Sequence, residues 1–226
     1  MSICVIPARG GSKRIPRKNI KKFLGREMIS YAIEVAHSSE IFEHVIVSTD
    51  DAEIARISRD CGAETPFERP ANISDDHTTT VDVVSHAIDE CHSMGVDVEN
   101  VCCIYPCVPF LLATDLQKAL MVLIDGEIDY VFPVAEFPSP VQRALKIGGD
   151  SKLKPFFPEY SDVRTQDLEC AFYDVGQFYW GRKKAWLDKK NIHCNGVGVV
   201  IPSERAIDID TKSDWNRAEL MYKILR

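Results

Sequence analysis

Two separated sets of residues have the types and spacing to act on a polyanion. The first is the stretch Val5–Asn19, V-I-P-A-R-G-G-S-K-R-I-P-R-K-N, which follows a short apolar run from Ile3 to Ile6. It combines two glycines and two prolines with Arg9, Lys13, Arg14, Arg17 and Lys18. From Arg9 to Arg26 there are eight Lys or Arg residues and no Asp or Glu. Glycine lets backbone N–H groups approach a ligand closely, and the cationic side chains supply countercharge, so the stretch can cradle phosphates. Its spacing matches neither the Walker pattern nor G-x-G-x-x-G, and a solvated basic loop is the competing reading. The second set is Ile207-Asp-Ile-Asp-Thr211. In an extended chain the period of two puts Asp208 and Asp210 on one face and both isoleucines in the core. Paired carboxylates need a neutralising partner, and where phosphates are bound that partner is usually Mg²⁺. The competing reading is that Asp210 caps the terminal helix. A phosphate cradle with an acidic pair is equipment for phosphoryl or nucleotidyl transfer. Arg69, rigidly placed between Glu68 and Pro70, could aim a guanidinium at the same ligand.

The elements that must position these groups follow from apolar periodicity. Ile3–Ile6, His44–Ser48, Val101–Tyr105, Asp129–Val134, Gln177–Trp180 and Gly196–Ile201 read as strands. Met28–His37, Ala52–Cys61 with Gly62 as its stop, Val81–Met94, a segment from Thr114 to Ile124 and Lys212–Leu225 read as helices. This alternation predicts an α/β fold, a mainly parallel sheet with helices on both faces. In such sheets ligands lie beyond the carboxyl ends of the strands, so the loop Pro106–Phe110 should face the same crevice as the basic loop. Between Glu136 and about Phe172 the rhythm breaks, with Pro138, Pro140, Pro155, Pro158 and Gly148-Gly149. Residues 136–175 therefore read as an insertion within a single domain spanning 1–226. Its Phe137, Phe156 and Phe157 suggest a place for another subunit to dock.

Composition narrows the function. The chain has 226 residues, 45% hydrophobic and 27% charged, as in an ordinary globular protein. No apolar run reaches the ~18–20 residues of a membrane span, and no signal-peptide pattern precedes the first strand, so a cytoplasmic location is expected. A net charge of −7 argues against generic nucleic-acid binding and makes the basic cluster fit a small polyanion. The eight cysteines lack zinc-type spacing and read as reduced, small core residues.

Ile6-Pro-Ala-Arg-Gly-Gly-Ser-Lys13 followed by Pro16-Arg-Lys-Asn19 resembles the opening motif of the CMP-sialic acid synthetase (acylneuraminate cytidylyltransferase) family. Val47-Ser-Thr-Asp50, Arg69-Pro-Ala71 with Asp76 and Thr80, Gln166-Asp-Leu168, Gly176 and Ile207–Thr211 extend the match in order along nearly the whole chain. The resemblance implies a Rossmann-like nucleotide-diphospho-sugar transferase fold and a homodimer formed through the inserted segment. It also implies a Mg²⁺-dependent reaction in which the anomeric hydroxyl of an α-keto acid sugar attacks the α-phosphorus of CTP, releasing pyrophosphate. By position, Arg9, Lys13, Lys18 and Asn19 would hold the triphosphate or cytidine. Ala8, Gly10 and Ser12 would line the nucleotide, Arg69, Asp76 and Thr80 would complete its site, and Asp208 and Asp210 would bind Mg²⁺. Arg9, Lys13, Asp208 and Asp210 would serve catalysis.

Two stretches depart from the usual sialate pattern. Tyr105-Pro-Cys-Val-Pro-Phe-Leu111 stands where that family has Q-P-T-S-P-L-R, and Tyr173-Asp-Val-Gly176 where it has R-P-N-G. Gln166-Asp-Leu-Glu169 together with Tyr173–Trp180 looks like the branch that activates pseudaminic acid. Tyr105, Gln166, Asp167, Tyr173 and Gln177 are thus expected at the sugar. A 9-deoxy, di-N-acylated sugar suits an aromatic, hydroxyl-poor wall. Synthetases for CMP-sialate, CMP-legionaminate or CMP-Kdo stay open as alternatives, as does a non-catalytic nucleotide-binding domain of the same fold.

Overall fold

The first strand, β1 (Ser2–Pro7), is buried from Ile3 to Ile6 and lies one strand in from an edge of the main sheet. The chain, a computed structural model, is described over residues 1–225. After the basic loop come β2 (Lys22–Phe23) and β3 (Arg26–Glu27), joined by Leu24 and Gly25 with φ of 49° and 90°. Both central residues are left-handed, which is what a tight two-residue hairpin requires. Helix α1 (Met28–Ser38), β4 (His44–Ser48) and α2 (Ala52–Asp60) follow. Asp51 caps α2 by accepting the N–H groups of Glu53 and Ile54, each at 3.0 Å, and Gly62 at φ 96° ends that unit.

The loop after Gly62 leads to α3 (Thr80–Ser93), capped by Thr79, and then to β5 (Asn100–Ile104), α4 (Ala113–Asp125) and β6 (Tyr130–Glu136). Within 136–175, β7 (Leu145–Ile147) and β8 (Leu153–Pro155) form an exposed hairpin separate from the main sheet. The chain rejoins that sheet at β9 (Phe172–Asp174) and β10 (Phe178–Arg182). Helix α5 (Lys183–Leu187), β11 (Gly196–Val200) and α6 (Lys212–Leu225) complete it.

The sheet order is β11-β6-β10-β5-β1-β4, with β9 beside β6. The expected parallel pairings hold for β1 with β4 and β5, and for β6 with β11. β10 runs antiparallel to β5 and β6, and β9 antiparallel to β6, so the sheet is mixed. A parallel return needs a crossover, usually a helix, to carry the chain back to the opposite end. Between β6 and β9 the chain forms only short 3₁₀ turns and the small hairpin, so it re-enters the sheet at the end where β6 left it.

Both faces are covered. Ile29, Ala32 and Ile33 of α1 and Leu116, Ala119 and Leu123 of α4 pack on Cys4, Ile6, Cys102 and Ile104. Val84, Ala87 and Ile88 of α3 and Trp186 of α5 pack on Ile3, Val5, Val101 and Cys103. A third cluster joins Phe23, Tyr31, Phe110, Ile207, Ile209 and Trp215, which fastens the chain's end under the basic loop. No helix among the described residues is long and apolar enough to cross a membrane.

Gly181 of β10 lies where β10 meets α5. A Cβ there would sit 2.5 Å from Trp186 Nε1 and 2.7 Å from the Tyr130 ring, whose centroids stand edge-to-face at 4.9 Å. Trp186 cannot simply move, because its Nε1–H donates to the Val101 carbonyl at 3.2 Å. Gly181→Ala is expected to lower stability by about 2 kcal/mol through overpacking, read as a lower urea midpoint at unchanged slope.

Candidate active site

The carboxyl ends of β1 and β5 open on a cleft of about 710 Å³. One wall is the basic loop, including Arg9, Ser12, Lys13, Arg14, Lys18 and Asn19. Tyr105–Cys107 form the floor, Tyr173–Gly176 with Tyr179 the opposite wall, and Ala206, Asp208 and Asp210 the rim.

Each cation from Arg9 to Lys18 rests on a carboxylate supplied from elsewhere. Arg9 and Lys13 both pair with Asp76. Arg14 lies 2.6 Å and Lys18 3.2 Å from Asp210, and Lys18 Nζ also donates to the Ile209 carbonyl at 2.8 Å. Arg17 turns away from the cleft, with φ 55°, and pairs with Asp51 and Glu53 at the start of α2. Gly10 fits this clamp because a Cβ would meet Asp51 Oδ2 at 2.6 Å, and its N–H donates to Asp50 at 3.0 Å. The Ala8 N–H is likewise taken, by the Ser48 carbonyl at 2.9 Å. Asn19 is buried; its Nδ2 donates to the Arg9 carbonyl at 3.0 Å and pins the loop to its own start.

The carboxylate pair lies on the strand-like approach to α6. Ile207 and Ile209 are buried, whereas Asp208 is exposed and Asp210 partly so. Thr211, not Asp210, caps α6: Asp214 N–H donates to Thr211 Oγ1 at 3.2 Å, and Asp214 accepts from the Thr211 N–H at 2.7 Å. Partial desolvation by the cleft walls, then the neighbouring Asp210 charge, push the Asp208 carboxyl above its ordinary range. Among the described residues no three His, Cys, Asp or Glu side chains gather as a metal-holding group.

Arg69 is almost fully buried one layer behind the loop, with Nη2 3.7 Å from Asp50 Oδ1. Its Nε and Nη2 have no hydrogen-bond partner, and burial lowers its pKa while Asp50 opposes that shift. Arg69 therefore backs Asp50, which in turn holds Gly10. Thr80 Oγ1 lies 2.7 Å from the Tyr105 hydroxyl, and burial pushes the Tyr105 phenol up to about 12.

The structure brings Tyr105 and Tyr173 to the cleft but leaves three other expected sugar-side residues outside it. Gln166 and Asp167 are exposed on the inserted segment, where Asp167 accepts from Arg164 at 2.7 Å. Gln177 points inward, is 2% exposed, and donates through Nε2 to the Arg205 carbonyl at 2.7 Å. Sequence reasoning missed Asp174 and Tyr179 as part of the wall. An Asp two residues before a glycine is the available signal, since Asp174 accepts the Gly176 N–H at 2.8 Å in a local turn.

The Arg17 hydrogen bond, aided by the Ile54 and Glu53 N–H groups, lowers the Asp51 carboxyl to about 2. A depressed carboxyl stabilises the fold above its unfolded pKa, and that stabilisation is lost as pH falls through the folded value. Asp51→Asn is expected to cost about 2 kcal/mol at pH 7. Denaturant titrations at several pH values should show this difference shrinking as pH drops from about 4 toward 2.

Comparison with known proteins places this site in a family. The cytidylyltransferase family model matches residues 3–143. A pseudaminic acid cytidylyltransferase of Campylobacter jejuni is 41% identical over 224 residues, covering 99% of this chain and 97% of that protein. N-acylneuraminate cytidylyltransferase A of Danio rerio is 30% identical across 98% of this chain and 50% of its own length. Among solved structures, a CMP:2-keto-3-deoxy-manno-octonic acid synthetase complexed with CTP superposes with a TM-score of 0.72 at 16% identity, covering 100% of this chain and 99% of its own. The shared fold, the full-length likeness and the matched family model agree: the chain belongs to the cytidylyltransferase family.

Proposed function

We propose that this enzyme transfers CMP from CTP to the anomeric hydroxyl of pseudaminic acid, giving CMP-pseudaminate and pyrophosphate. The observation that carries this reading is the 41% identity running the full length of both chains. The likeness runs past residue 143, where the family match ends, and so takes in the segment that carries the Tyr173–Tyr179 wall of the cleft.

The chain's residues divide the work. A triphosphate in the cleft draws Arg9 and Lys13 from Asp76, so Asp76 acts as a resident countercharge that the nucleotide displaces, not as a phosphate ligand. Ser12, Lys18 and Asn19 line the same wall, while Ala8, Gly10, Arg69 and Thr80 keep it in shape. Arg17 stays on Asp51 and holds the loop. Asp208 and Asp210 fit Mg²⁺: they are hard oxygen donors, and the crowding that raises Asp208 is relieved by a dication. Held there, Mg²⁺ would supply positive charge to the reacting phosphates. Arg14 and Lys18, which pair with Asp210, line the same cleft and offer further countercharge. Tyr105 and Tyr173 offer the sugar an aromatic wall suited to a deoxy, di-N-acylated substrate. Gln166 and Asp167 would reach a sugar only from a second subunit.

A homodimer and a cytoplasmic location belong to the same reading. Ile147, Leu153, Phe156 and Phe172 are at least 47% exposed on the inserted segment, an apolar surface a second copy would cover.

Pyrophosphate release from CTP should require pseudaminic acid; release with N-acetylneuraminate and none with pseudaminic acid would overturn the sugar assignment. Asp210→Ala should cut kcat by about 10²-fold or more while changing CTP affinity far less, because charge stabilisation counts most in the transition state. Asp76→Asn should lower the KM for CTP about threefold, the size of an exposed ion pair, and added salt should shrink that gain.

A further inference from the structure

Asp174, at the end of β9, holds three donors. Its Oδ1 accepts the Gly176 N–H at 2.8 Å. Its Oδ2 accepts the Tyr179 hydroxyl at 2.9 Å and lies 2.8 Å from His193 Nε2. Asp174 and Tyr179 line the cleft, whereas His193 approaches from the protein's exterior, its ring edge-on to Phe132 at 5.2 Å. With its two oxygens engaged by three donors, Asp174 is committed as an acceptor. It is well suited to fix where the Tyr179 proton points.

That orientation has a chemical consequence. A phenol whose single proton is committed to a carboxylate offers a ligand only its oxygen lone pairs. Burial, then the neighbouring Tyr105 and Asp174, push the Tyr179 phenol well above its ordinary pKa, so the proton stays in place. A phenol oxygen also accepts, and with its proton on Asp174 that capacity is left for a ligand in the cleft. Gly176, with φ 66°, keeps the space beside that oxygen open, since even a Cβ there would lie 3.9 Å from it. Val175, Ala206 and Tyr173 add apolar surface to the same wall. An acceptor beside an apolar surface matches an acetamido group, which has an N–H donor and a methyl.

We propose that the Tyr179 oxygen accepts the amide N–H of an acylamino group of the sugar, with Asp174 and His193 as the positioning residues that turn it to do so. This rests on the reading that the acceptor sugar is an acylamino nonulosonate. Sugar choice is then written partly in a proton's direction, fixed from outside the cleft by His193.

The test uses the full chain, with pyrophosphate release followed under steady-state conditions. Wild type and Tyr179→Phe are compared on pseudaminic acid and on two analogues, each with one acetamido N–H replaced by CH₂. In wild type, one analogue should show a sugar KM raised about tenfold, as expected for losing a buried hydrogen bond. In Tyr179→Phe the natural sugar should show the same rise, with the KM for CTP within twofold of wild type. The analogue should add nothing further, because the two changes remove one interaction. His193→Ala, a surface change, should raise the sugar KM about threefold at unchanged Tm, and Asp174→Asn should raise it about tenfold. Full loss from both analogues persisting in Tyr179→Phe, or no loss from either in wild type, would overturn the proposal. Turnover of N-acetylneuraminate alone would instead overturn the pseudaminate reading, and the CH₂ analogue of that sugar's acetamido group would then decide the role of Tyr179 by the same comparison.

Discussion

Neutralising the basic loop is the constraint on which the rest of the structure depends. Arg9, Lys13, Arg14, Arg17 and Lys18 crowd into ten residues of a chain with net charge −7. Such a loop would repel itself open without countercharge. The fold supplies carboxylates from three distant places: Asp51 with Glu53 at the head of α2, Asp76 before α3, and Asp210 before α6. These differ in what they do. Asp51 is also saturated by the N-terminus of its helix, so its pairing with Arg17 is structural. Asp76 has its carboxylate engaged by Arg9 and Lys13 in the open cleft, and Asp210 is both a cation's partner and a candidate metal ligand. The first pairing anchors the loop; the other two hold charges that a nucleotide and its metal would take over.

The sheet explains how these groups meet. β1 and β5 are neighbours, so their carboxyl ends place the basic loop and Tyr105 side by side. β10 enters antiparallel between β5 and β6, which brings the turn at Val175 and Gly176 to that same end. Had β10 been parallel, this turn would lie at the opposite edge and the cleft would lack its far wall. The mixed topology thus joins a basic wall built early in the chain to an aromatic wall built late. The third hydrophobic cluster, where Ile207 and Ile209 pack with Phe23 and Trp215, holds Asp208 and Asp210 against the loop.

Much of this was legible in the sequence because it is encoded locally. The apolar run Ile3–Ile6, the helical spacing of Ile29, Ala32 and Ile33, and the alternation of Ile207 to Asp210 each report burial by their pattern, and the structure buries the apolar residues of all three. What was not legible depends on long-range placement. Strand direction leaves no mark in a short apolar run, so the reversed β10 was invisible, and α5 is five residues, too short for a period to show. Gln177 directly follows the Tyr173–Gly176 wall of the cleft but spends its amide on the Arg205 carbonyl, a contact 28 residues away. Asp76 was expected at the nucleotide site by resemblance alone; that it meets Lys13 across 63 residues is marked by no local pattern. Asp174 and Tyr179 fall inside the Tyr173–Trp180 motif, but their pairing across the wall is a hydrogen-bond geometry that sequence spacing does not express.

On the proposed reading the loop exchanges carboxylates for a triphosphate while its anchor stays fixed. A crystal structure of the CTP complex with Mg²⁺ should then show Arg9 and Lys13 on phosphate oxygens, Asp76 released, and Arg17 still paired with Asp51. A complex in which Asp76 still bridges Arg9 and Lys13, or in which Arg17 has left Asp51 for the nucleotide, would contradict it.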